Sequence, residues 1–159
     1  MSLALPSILA IVLYIGAASL LAAPMTGCPR PPRRLGLATA TLAVLLHAGV
    51  LLGAHGGRVD LHFFAALSLV ACVVAALTLL VNLSRPVAGL GVIVFPLAAL
   101  LLALDVFLAP PTTPTPIDWQ IKLHVVIALL AYSLLSIAAV LALLLAVQER
   151  ALRSRRPGV

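Results

Sequence analysis

The chain has 159 residues, 64% of them hydrophobic and only 9% charged, with a net charge of +6 and a mean hydropathy of +1.25. A water-soluble domain carries about a quarter charged residues. This composition excludes one, and it directs attention to where the few polar groups stand.

The first apolar run covers about residues 3–23. No Lys or Arg precedes it, as one would in a secretory signal peptide, and Arg30, Arg33 and Arg34 follow it. A retained span is therefore expected in preference to cleavage near "SLLAAP". The Pro-rich stretch "PMTGCPRPPRR" ends it, since proline cannot continue a helix. A second run at about 35–55 holds His47, and "HGGRVD" turns the chain into a third at about 61–82. After the tight turn "NLSRP", a fourth run at about 87–109 contains Pro96 and Asp105. The proline is expected to kink it. The extended "APPTTPTPIDW" leads to a fifth run, about 121–147, opened by Trp119 and Lys122, residue types that anchor at membrane interfaces.

Runs of about 17–25 apolar residues are long enough to cross a bilayer. In hydrocarbon only a helix satisfies its own backbone over such a length without closing into a barrel. The expected fold is all-α, a polytopic transmembrane bundle of five spans within residues 1–148, followed by a basic tail at 149–159. The sequence shows no internal repeat and no soluble domain.

Charge sorts by loop. Arg30, Arg33, Arg34, Arg85, Arg150, Arg153, Arg155 and Arg156 fall on one side, and only Arg58 and Lys122 on the other. By the positive-inside rule the N-terminus lies outside and the C-terminus in the cytoplasm. The positive charge thus reads as a topology signal, with the tail a candidate anchor for anionic lipid, and nucleic acid is not an expected partner. Cys28 lies in a loop and Cys72 in mid-span, so a disulfide between them is not expected. There is no CxxCH for covalent haem attachment and no Cys/His spacing that reads as zinc.

Polar residues at apolar depth are the candidates for function. His47 lies twelve residues, ~18 Å, into its span from the cytoplasmic side, beyond the middle of a core about 30 Å thick. Gly36, Ala40 and Ala43 share its face. Two readings are open: a small-residue packing seam with a hydrogen-bonded histidine, or an imidazole aimed into a cavity that admits a flat ligand. His124 opens the fifth span with Ala128, Ala131 and Leu135 on its face. It reads either as an interfacial histidine in contact with water and headgroups or as a ligand. Asp105 stands ~27 Å along its span. It either reaches the headgroups or accepts a hydrogen bond from the free nitrogen of a ligating histidine. His55 and His62 flank the outer turn and are expected to be solvated, while Tyr132, Ser133 and Ser136 are expected at helix contacts.

His47, Asp105 and His124, on three spans, all fall in the outer half of the membrane. Imidazoles beside small residues suit b-type haem, whose iron takes neutral histidine nitrogens axially. A transporter or channel component for protons or metal ions is the alternative and predicts polar groups through the full depth, whereas in the sequence they stop at the outer half. A ligand-free structural subunit is the third reading.

The stretch "KLHVVIALLAYSLLSIAAVLALLLAVQERAL" resembles the histidine-bearing span of the cytochrome c assembly family of membrane proteins (CcsA/ResC/HemX-like), matching it at His124, Tyr132 and Ser133. "LLHAGVLL" with His47 and "VFPLAALLLAL" with Pro96 look like the second and fourth spans of its YpjD-like subgroup. The similarity covers nearly the whole chain. It implies an integral protein of the bacterial plasma membrane that binds haem b non-covalently and handles or presents it at the outer face during c-type cytochrome maturation. His124 and His47 would be axial ligands to the iron, with Asp105 and Tyr132 beside them. Family members carry more spans than the five read here, and a tryptophan-rich outer segment, whereas Trp119 is the sole tryptophan of this chain. The resemblance therefore implies that the second axial ligands come from further spans or from partner assembly proteins, and it does not imply an enzymatic activity for these five spans alone.

Overall fold

The computed structural model describes residues 4–25, 32–54, 62–84, 88–110 and 118–154. Five α-helices account for nearly all of them: α1 (Ala4–Ala22), α2 (Arg33–Ala54), α3 (Phe63–Ser84), α4 (Ala88–Leu108) and α5 (Trp119–Ser154), with one 3-10 turn, Ala23–Met25, closing α1. Each of the five is long and apolar enough to cross a membrane, so the chain is an all-α, multi-pass membrane protein. Cys28, Arg30, His55, Arg58, Arg85 and the tail from Arg155 lie outside the described residues.

The expected spans agree with the helices to within about two residues except in α5. That helix does not stop at Val147 but runs through Gln148, Glu149 and Arg150 to Ser154. Those residue types are good helix formers, and Arg153 pairs with Glu149 one turn earlier. As far as Ser154, the tail expected from residue 149 is therefore the end of α5 and not a separate element. At 1.5 Å per residue α5 is ~54 Å long, well beyond a hydrocarbon core. Helix α4 continues through Pro96, whose missing N–H leaves the carbonyl one turn earlier without its helical donor.

Helices α1–α4 form a ring in which α1 packs on α2 and α4, and α3 packs on α2 and α4. The ring closes over small side chains: Ala17, Ala40, Ala43 and Ala75 are fully buried, and Ala98 nearly so. In lipid there is no hydrophobic drive between helices, and close backbone approach over alanine supplies the packing instead. Tyr14 and Phe95 pack into the same core, their rings stacked at 6.0 Å. Helix α5 lies outside the ring, against α3 and to a lesser degree α4, and buries only Ser133 and Ile137.

Contacts between helix ends establish the up-down arrangement. A Cβ on Gly36, near the start of α2, would meet Leu21 at the end of α1, as would one on Gly91 at the start of α4. Arg33, the first residue of α2, donates to the Asn82 carbonyl near the end of α3. At the opposite end His62, just before α3, faces Asp105 near the end of α4. One end of the bundle therefore gathers Leu21, Arg33, Asn82 and Gly91, the other Ser7, His62 and Asp105.

Candidate functional site

His47 is not aimed into a cavity. Its ring is fully buried, and both nitrogens are engaged: Nδ1 lies 3.1 Å from the Tyr14 hydroxyl and Nε2 lies 3.1 Å from Ser68 Oγ. A neutral imidazole offers one N–H and one lone pair, so one hydroxyl donates to the ring and the other accepts from it. The Tyr14 ring also meets the imidazole edge-on at 5.8 Å. The geometry follows from direction and depth. Side chains lean toward a helix's own N-terminus, so Tyr14 on α1 leans outward while His47 on the antiparallel α2 leans inward, and they meet beside Ser68 of α3. Helix contact is the reading of His47 that this arrangement favours.

Asp105 accepts nothing from His47 or His124. Its Oδ1 stands 3.9 Å from His62 Nε2, and His62 Nδ1 accepts from the Ala65 N–H at the first turn of α3. His62, expected in solvent, is instead half-buried and caps α3 while facing α4. The physical reason is the short distance between the start of α3 and the end of its antiparallel neighbour.

His124 is exposed near the start of α5, and its ring makes no hydrogen bond among the described residues. Ala131 and Leu135 on its face are also exposed, with Ala128 half-buried. Tyr132, expected at a helix contact, is 62% exposed. Ser136 bonds back to its own helix at the Tyr132 carbonyl, and Ser133 does the same at Leu129 while buried against the bundle. The two histidines therefore do not share an internal gap: one is sealed among α1, α2 and α3, the other faces outward from α5.

Haem fits these two positions unequally. An axial ligand needs a free nitrogen and room for the macrocycle. His124 has both, with the small side chains of Ala128 and Ala131 beside it. His47 has neither unless Tyr14 or Ser68 lets go of the ring. Among the described residues no group of three or more His, Cys, Asp or Glu side chains gathers around one point.

Polar groups also do not end in the outer half. Thr78 and Asn82 are buried toward the C-terminal end of α3, the end predicted to be cytoplasmic. Asn82 Nδ2 donates to the Thr78 carbonyl at 3.0 Å, and its own carbonyl accepts from Arg33, a cation at the negative end of the helix. Thr78 Oγ1 is buried with no hydrogen-bond partner. Sequence reasoning overlooked Tyr14, Ser68, Thr78 and Asn82, although a signal was present: Ser68, Ala71, Ala75, Thr78 and Asn82 recur at spacings of 3, 4, 3 and 4, one buried face of α3.

Comparison with protein-family models, curated proteins and solved structures finds no match for this chain.

Proposed function

We propose that this chain is a haem-handling protein of the bacterial plasma membrane, acting in c-type cytochrome assembly, with His124 as the axial ligand at the outer face. The observation that carries the reading is the exposed imidazole of His124, set beside Ala128 and Ala131 on the helix that packs least against the bundle. The resemblance of the same helix to the cytochrome c assembly family supports it. Haem bound there would supply an iron that the His124 imidazole would hold. The protein's part is to hold that ring at the outer boundary and to leave the small-residue face open for the macrocycle, with Tyr132 lower on the same helix.

His47 supports the bundle in this proposal and does not ligate. The second axial position is left to a partner assembly protein or to residues beyond those described. The N-terminus lies outside and the C-terminus in the cytoplasm, so α5 delivers His124 to the side where apocytochromes receive haem.

Haem titration of the purified protein in detergent tests this. A Soret band that shifts on binding and again on reduction is expected, weakened by His124→Ala and retained by Ser68→Ala. Wild-type protein that leaves the spectrum of free haem unchanged would overturn the proposal, as would a His124→Ala variant with wild-type affinity.

A further inference from the structure

Helix α2 opens on two adjacent arginines, Arg33 and Arg34, with no acidic residue in its first turn. A cation at the positive end of a helix dipole is unfavourable unless an acceptor or an anion offsets it. Arg33 has an acceptor, the Asn82 carbonyl near the end of α3. Arg34 is exposed and makes no hydrogen bond or ion pair among the described residues. At the same end of the bundle α5 carries Arg150 and Arg153. Arg153 is paired with Glu149, the only acidic side chain at this end among the described residues. Arg150 is exposed and, like Arg34, has no partner among them.

Depth brings these two guanidinium groups together. A Cβ on Gly36 of α2 or on Gly91 of α4 would meet Leu21, so the two glycines stand at one level. Arg34 and Gly89, each two residues earlier on its helix, lie ~3 Å nearer the end. A Cβ on Gly89 would in turn meet Leu144 of α5 at 3.8 Å. Arg34 and Leu144 therefore share a level, and Arg150 lies six residues, ~9 Å, beyond it. Side chains lean toward the N-terminus of their own helix. Because α2 and α5 run in opposite directions, Arg34 leans away from the bundle and Arg150 leans back toward it. Both charges fall in one layer just past the apolar ends of the helices. A bilayer places its headgroups there, about 5–8 Å deep on each side of the hydrocarbon. Helices α2 and α5 are both neighbours of α3, so the two charges flank the end of that helix.

We propose that this end of the bundle holds an anionic phospholipid, its phosphate between Arg34 and Arg150 and its acyl chains against the exposed Leu35 and Leu145 beside them. The phosphate accepts from both guanidinium groups and supplies the negative charge that the first turn of α2 lacks. A zwitterionic lipid brings its own ammonium to the same place and is held less well, so the site selects for net negative charge. The opposite end has no such pair: among the described residues Lys122 is its only Lys or Arg.

The test is native mass spectrometry of the purified full chain, released from detergent containing equal amounts of phosphatidylglycerol and phosphatidylcholine with the same acyl chains. Wild type is expected to retain one phosphatidylglycerol in preference by at least about fivefold, the weight of one arginine at a charged surface. Arg34→Gln and Arg150→Gln each lower the preference, and the double variant retains the two lipids equally. Arg34→Lys keeps most of the preference, and Lys122→Gln, at the other end of α5, leaves it unchanged. All are exposed positions, so wild-type helicity is expected throughout. Equal retention of the two lipids by wild type would overturn the proposal, as would a double variant that selects phosphatidylglycerol like wild type. Displacement of the lipid by an equal concentration of glycerol phosphate would also overturn it, since the site would then belong to a free anion. The readout needs no haem, so its failure leaves the His124 proposal standing, and the reverse.

Discussion

Replacing Tyr14 with Phe isolates a single hydrogen bond. The hydroxyl goes, while the ring stays stacked on Phe95 at 6.0 Å and edge-on to His47 at 5.8 Å, so packing is preserved. Hydrogen bonds between membrane helices average about 0.6 kcal/mol and reach about 1.7. The imidazole nitrogen left behind is fully buried and finds no water, which places this bond toward the upper end of that range. Tyr14→Phe is therefore expected to cost about 1 kcal/mol. Ser68→Ala removes the partner on the other nitrogen, also at 3.1 Å, and costs a similar amount. The double variant loses about 2 kcal/mol, roughly a thirtyfold change in the unfolding equilibrium. That figure is the additive sum; because both bonds share one ring, the measured loss is expected to depart from it. The assay is reversible unfolding in mixed detergent micelles followed by helicity, with His124→Ala as comparison; that exposed side chain is expected to change stability by less than about 0.5 kcal/mol. If Tyr14→Phe and Ser68→Ala were both silent while His124→Ala destabilised the fold, the assignment of His47 to the bundle and His124 to a ligand would be refuted.

The glycines separate in the same assay. A Cβ on Gly91 would stand 2.8 Å from Leu21 Cδ1 and 3.0 Å from Phe95 Cε2; the methyl can move but the buried ring has little freedom, so Gly91→Ala should destabilise by about 1 kcal/mol. Gly49 has nothing within 4 Å of such a Cβ, and Gly49→Ala should be neutral or stabilising by up to about 1 kcal/mol through helix propensity. His62→Ala removes the cap of α3 and the group facing Asp105; a loss of about 1 kcal/mol is expected, and faster amide exchange in the first turn of α3 checks it. Orientation is read by an impermeant thiol reagent on intact cells in a background without Cys28 and Cys72: Trp119→Cys should label directly and Arg150→Cys only after permeabilisation, and the opposite pattern would reverse the assigned topology.

The number of helices, their order and nearly all of their ends were legible in the sequence, because each is a charge-poor run bounded by Pro, Gly or Arg and because a bilayer sets the length of such a run. Trp119 and Lys122 marked the start of α5 for the same reason. The end of α5 was less legible: hydropathy falls after Val147, but helix propensity does not, and Glu149 pairs with Arg153. What each polar side chain touches could not be read from one dimension. His47 and His124 look alike in sequence, each a lone imidazole above small residues, yet Tyr14 and Ser68 close around the first and nothing in the bundle covers the second. That difference depends on which helices are neighbours and at what depth they cross, and both are decided by alanine-to-alanine packing among α1–α4, a contact between faces that no single span specifies.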